Sequence, residues 1–219
     1  MENTLENYDN IEIIRDGDKV TRKYKLKVLL HRTDGPAVEY PEGEEWWING
    51  KLHREGDLPA VDLPKLKKWY KNGVVHRDSG PAIESFGADT YRYSTDDPDG
   101  PDPNKGDEYQ IWCVNGYIHR IGNPAYINKT TGYRSWRKNG KLHRTDGPAT
   151  EYSNGQKGWY IDGKAYSESG FLVEINKLNK TAAADKFASL SEPTTNGTPK
   201  KFKVLLDGIE CYTDHIQIL

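Results

Sequence analysis

WRKNGKLHRTDGPA, residues 136–149, holds a tight-turn signal, a charged dipeptide and a strand breaker within one short stretch. Asn139-Gly140 offers the two positive-φ positions that a close hairpin turn demands. Pro148 cannot donate to a ladder, so it belongs at the first residue of a strand. Gly and Pro recur too closely here for a helical run of about ten residues.

The same order of residues recurs outward in both directions. Five of the six histidines stand in a His-Arg dipeptide, at His31, His53, His76, His119 and His143. Each is followed by Pro-Ala, at Pro36, Pro59, Pro81, Pro124 and Pro148. Asn-Gly precedes four of them, and Trp46, Trp69, Trp112 and Trp136 stand four residues before those glycines; Trp159 keeps the same distance to Gly163. A short, partly β-branched run follows each Pro-Ala. The cycle is strand, turn, strand, turn, about 22 residues long, and the chain is a repeat array. The expected fold is all-β: consecutive antiparallel β-hairpins forming one elongated twisted sheet, with a small C-terminal helix and hairpin. Trp46, Trp69, Tyr91, Trp112, Trp136 and Trp159 are expected along one face. A second row, Trp47, Tyr70 and Tyr160, alternates to the opposite, exposed face.

Boundaries follow from where the pattern weakens. Residues 1–23 form an N-terminal cap, and the array runs over 24–166, with Tyr24 in the Trp slot and Tyr166 replacing the last His. Residues 167–190 form a capping helix opened by Ser167, whose stripe of Phe171, Leu172, Ile175 and Leu178 covers the last hairpin. Residues 191–219 are a linker and a C-terminal β-hairpin. Between His76 and His119 the gap is twice the period. The proline register through Pro101, and Tyr91 in the Trp position, read as a worn unit at about 86–108 that lost its His-Arg. An inserted loop is the alternative.

The 219 residues carry a formal charge of −2, which gives no net pull toward nucleic acid or anionic lipid. Hydrophobic content of 35% is low for a deep core, whereas 14 Tyr and 6 Trp supply large amphipathic rings for a thin one. Cys113 and Cys211 make no disulfide framework, so a reducing, cytoplasmic setting is expected. The first residues lack the pattern of a secretory signal, and no apolar run approaches a membrane span.

Several chemistries were weighed on the repeat. Histidines in neighbouring units would lie on the order of 10 Å apart, too far to share a zinc ion. They read as structural, packed at the turn and bonded to backbone. Arg32, Arg54, Arg77 and Arg144 have Asp34, Asp57, Asp78 and Asp146 within a few residues, which points to local bridges across the turn. Arg120 has lost its acid to Ile121-Gly122-Asn123 and is expected to be open to a partner. Asp96, Asp97, Asp99, Asp102, Asp107 and Glu108 form the one local charge excess; their spacing does not fit a calcium loop, and a solvated acidic turn is expected. No nucleophile with a base, carboxylate pair or phosphate loop stands out, so no enzyme, metal or cofactor is expected.

The stretches 46–54 and 136–149 resemble MORN-type repeats, and more closely the variant recurring in proteins of bacteriophages and large DNA viruses. The resemblance covers about residues 24–180. It implies an elongated binding or scaffolding surface, toward protein in some members and lipid in others. The expectation is a non-enzymatic protein-binding protein, phage- or virus-encoded, that inhibits or sequesters a host defence protein. Candidate contact residues are Tyr91, Tyr93, Asp96, Asp97, Asp99, Arg120, Trp47, Tyr70 and Tyr160. Binding of a small ligand or nucleic acid, or membrane association as in some MORN proteins, are the alternatives.

Overall fold

A computed structural model describes residues 7–87, 106–190, 202–206 and 209–213. The chain divides into two compact units, Met1–Leu172 and Val173–Leu219.

One cycle shows how the first unit is built. Strand Leu66–Lys68 pairs antiparallel with Val61–Leu63 on one side and with Ile83–Phe86 on the other. At Trp69 the strand leaves the sheet: its N–H donates to Ala82 O at 2.9 Å, and its carbonyl accepts from His76 N–H at 3.1 Å. Beyond it, Tyr70–Lys71 and Val74–Val75 form a short ribbon closed by Asn72 (φ 53°) and Gly73 (φ 84°). Two successive positive φ values are the geometry for which Asn-Gly is favoured. Repeated along the chain, this gives a 14-stranded antiparallel sheet from Asn10–Asp16 to Lys164–Tyr166, with the ribbons branching from it. The all-β hairpin array read from the sequence is the architecture observed.

The invariant small residue has a packing cause. Ala37, Ala60, Ala82, Ala125 and Ala149 are all 0% exposed, and each carbonyl accepts from the N–H of an aromatic slot residue or its equivalent, as Ala60 O does from Trp46. A larger side chain there would overpack the bend. The turn glycines meet a second constraint. A Cβ on Gly50 would come 3.2 Å from Leu29, and one on Gly116 would come 3.2 Å from Val74, both in the preceding ribbon.

The core is mixed rather than a row of tryptophans. Val61, Leu63, Leu66, Ile83, Tyr109, Ile111, Cys113 and Tyr126 form its buried cluster, with Tyr70 packed against it. The expected placement of the second aromatic row is therefore corrected. Trp47, Tyr70 and Tyr160 are half-buried, not exposed. Because the strand bends at the Trp, the residue after it turns toward the inside of the angle.

The segment read as a worn unit, about 86–108, with Tyr91 and Pro101, lies largely outside the described residues; the pairing of the strands that flank it is described. Ile83–Phe86 pairs directly with Glu108–Ile111, from Ile83↔Ile111 to Phe86↔Glu108, leaving no place between them for another strand.

At the start, Asn10–Asp16 pairs with Lys19–Leu26 as the expected cap, and Tyr24 makes the bonds of a Trp slot. Ser167 caps the helix Glu168–Leu190, its Oγ accepting from Gly170 N–H at 3.1 Å. Of the expected stripe, Phe171 is buried, its ring 4.8 Å from that of Trp159, while Leu172 and Leu178 are exposed. One ring suffices to cover Trp159. In the second unit, Phe202–Leu206 and Ile209–Thr213 form the expected antiparallel hairpin. No helix among the described residues is long and apolar enough to cross a membrane.

Candidate functional site

Each His-Arg pair is a joint between neighbouring units. The histidine Nδ1 accepts from the backbone N–H of the first turn residue of the next unit: His31 from Asn49 at 3.0 Å, His53 from Asn72 at 3.1 Å, His76 from Asn115 at 3.2 Å, and His119 from Asn139 and His143 from Asp162 at 3.1 Å each. Such a bond uses the Nδ1 lone pair and leaves Nε2 for a second partner; at His143, Nδ1 also lies 2.9 Å from Asp162 Oδ1. His53 and His76 point Nε2 at Glu55 (2.8 Å) and Asp78 (3.2 Å). Among the described residues no three His, Cys, Asp or Glu side chains gather into a cluster that could hold a metal ion.

The arginine locks the same joint. Arg32 stacks on Tyr24, Arg54 on Trp46, Arg77 on Trp69, Arg120 on Trp112 and Arg144 on Trp136, with guanidinium carbons 3.8–4.0 Å from the ring centroids. In every unit Nη1 also donates to the carbonyl of the coming proline, as Arg120 does to Pro124 at 3.2 Å. The acids differ from expectation in two of four units. Arg32 pairs with Asp34 at 2.8 Å and Arg144 with Asp146 at 2.7 Å, as expected. Arg54 instead pairs with Glu44 at 3.0 Å, and Asp57 reaches forward one unit to Arg77 at 3.0 Å. The extra residue in the loop after Arg54, with Gly56 and Asp57 both at positive φ, carries Asp57 away from its own arginine. Asp57 is held below the usual carboxylate range by Arg77 and then by the Ser79 hydroxyl.

On the inside of the angle lies an open trough of about 560 Å³ in the last two units of the array. Its walls are Tyr126 from the sheet, Tyr133 and Tyr152 next to the strands Arg134–Ser135 and Thr150–Glu151, and Tyr160 from the last hairpin, with Arg137 lining it as well. The tyrosines form a continuous series. Ring centroids are 6.2 Å apart from Tyr109 to Tyr126, 5.5 Å from Tyr126 to Tyr133, and 4.8 Å from Tyr133 to Tyr152. Burial pushes the Tyr126 phenol up to about 12 and raises Tyr133, so both stay neutral donors. Arg137 is buried, donating from Nη1 to Gly140 O at 3.2 Å and from Nε to Ser135 Oγ at 3.4 Å.

Of the candidate contact residues that are described, Tyr160 lines this cavity, although the sequence placed it on an exposed face; the other tyrosines and Arg137 were not singled out. The available signal was Arg137 itself, a cation in the position after the Trp, which Trp47, Tyr70, Cys113 and Tyr160 fill elsewhere. Trp47 and Tyr70 lie farther along the array and are not part of this cavity. Tyr91, Tyr93, Asp96, Asp97 and Asp99 lie outside the described residues. Arg120 is found, as expected, with no carboxylate among the described residues; its stack and its bond to Pro124 nevertheless hold it in place. No family model matches the chain, and no curated protein or solved structure matches it.

Proposed function

We propose that this chain is a non-enzymatic binding protein that takes a segment of a protein partner into the tyrosine-lined trough. The observation that carries the reading is the run of Tyr126, Tyr133, Tyr152 and Tyr160 around the buried guanidinium of Arg137. Tyrosine and arginine dominate interface energetics because they combine large rigid contact area with directional donors. Here the rings are already ordered against each other, so little freedom is lost on binding. The resemblance of the repeat to viral arrays makes a host protein the partner to seek first.

A partner recovered with the tagged protein should bind the Tyr152→Ala/Tyr160→Ala variant roughly thirtyfold or more weakly, as loss of an interface hot spot does. Affinity within twofold of the parent, with unfolding unchanged, would reject the trough. A second reading has its own support: 560 Å³ lies within the range of small-molecule pockets, about 300–1,000 Å³. A phenol-stacking small ligand that raises the melting temperature of the parent, but not of the double variant, would favour it.

A further inference from the structure

Loop 119–125 withholds two things that other loops of the array supply. The first is acid for its own arginine. Arg32 meets Asp34 at Nε and Glu39 at Nη1, 2.8 and 2.7 Å away, and Arg144 meets Asp146 and Glu151 at 2.7 and 3.1 Å. At the matching positions of the Arg120 unit stand Gly122 and Ile127, so both acids are gone together. Yet Arg120 keeps the stack on Trp112 at 3.8 Å and the bond to Pro124 O at 3.2 Å. Its guanidinium is held as in its sisters, without the carboxylates the sisters hold. The second is an acceptor for the next tryptophan. Trp69 Nε1 donates to Asp57 O of the preceding loop at 3.0 Å, whereas Trp136 Nε1, equally enclosed, has no acceptor among the described residues.

Both gaps border one groove of about 370 Å³. His119, Lys138 and His143 line it, and Ile121 at its rim is 86% exposed. The lining carboxylate, Asp146, is engaged by Arg144. The groove thus presents Arg120 and Lys138 with no carboxylate against either among the described residues, beside an exposed apolar side chain.

We propose that this groove is a receptor for a carboxylate side chain of a protein partner, an Asp or Glu that takes in trans the place Asp34 and Asp146 hold within their own units. The fold itself supplies the template for the occupant. An aspartate in a Thr-Asp-Gly-Pro turn accepts from Nε of the same stacked arginine in two other units. A fixed fork is suited to such a carboxylate. Ile121 then covers the chain that carries it. The groove shares Arg137 with the tyrosine trough but none of its tyrosines, so loss of carboxylate binding at Arg120 leaves the reading of the trough standing.

The test is an NMR titration of the full 15N-labelled chain at neutral pH, following the Arg120 Nε–Hε resonance. The probe is the capped peptide acetyl-Thr-Asp-Gly-Pro-Ala-amide at millimolar concentration, against its Asn counterpart and inorganic phosphate. The Asp peptide should shift the resonance saturably and bind roughly tenfold or more tightly than the Asn peptide. Ile127→Glu restores an acid in cis; it should raise the melting temperature and abolish the shift. Equal response to the Asp and Asn peptides, an unchanged titration in Ile127→Glu, or tighter binding of phosphate than of the Asp peptide would each overturn the proposal.

Discussion

The joint at Arg77 and the joint at Arg120 use the same stack and the same proline carbonyl, and they differ in what stands against the charge. Asp57 holds Arg77 at Nε and Nη2, 3.0 and 3.1 Å away, and bonds Ser79 as well. Arg120 has the indole of Trp112 and Pro124 O alone among the described residues. A repeat protein is stabilised by its units and by each nearest-neighbour contact. A joint that gives up its ion pair weakens one link without unmaking the array, and the position is then free to serve something else.

Substitution of the two arginines should separate these roles most widely. Arg77→Ala removes the stack and leaves Asp57 and Pro81 O without their donor, for a loss of about 2–3 kcal/mol. Arg120→Ala should cost about 1 kcal/mol, the stack and one carbonyl bond. Urea unfolding of both variants measures the gap; equal losses would erase the distinction between the joints. Next in size, His76→Ala and His119→Ala each remove one acceptor from a backbone N–H, at about 1 kcal/mol apiece. Amide exchange should quicken at Asn115 in the first and at Asn139 in the second. Exchange that quickens throughout the sheet would mean the histidines act through packing instead.

The pH response should sharpen the contrast further. Asp57 is depressed in the folded protein, so its contribution is complete above the ordinary value of about 3.9 and is lost as pH falls through the lower folded value. The deficit of Arg77→Ala relative to the parent should shrink on acidification through that window, while the deficit of Arg120→Ala stays level. A deficit of Arg77→Ala that is constant from pH 7 to pH 3 would assign its cost to the stack alone. The smallest effect is expected at Cys113, whose thiol burial pushes up to about 12. It should resist alkylation at pH 8 in the native protein, in both variants as in the parent, until the sheet is unfolded.

The array was legible in the sequence because its turns demand rare backbone geometry. Asn-Gly at positive φ, and Ala where nothing larger fits, leave few substitutes, so the period survives in the letters. The histidines, too, were readable as structural, since a ligand set does not recur once per unit. What could not be read was anything set by strand pairing across a break in the period. Spacing alone did not show that the partner of Ile83 is Ile111, far along the chain; Tyr91 and Pro101, on which the worn-unit reading rests, lie outside the described residues. The bend at each Trp was hidden for a related reason. Alternation assumes a straight strand, so Trp47, Tyr70 and Tyr160 were assigned to the wrong side of it. The trough went unseen because it depends on that bend, although Arg137 in an aromatic position marked the place. The partners of Arg54 and Asp57 turned on one additional loop residue, which exchanges a contact within a unit for one between units.

The histidine bonds all point the same way, from a turn in one unit back to an imidazole in the unit before it. The array therefore has a polarity that its near-symmetric sheet conceals. Each unit offers a turn to its predecessor and an imidazole to its successor. The series of imidazoles ends at Tyr166, where the chain enters a helix instead of another unit of the array. That tyrosine works as punctuation: it ends the series without leaving an acceptor idle.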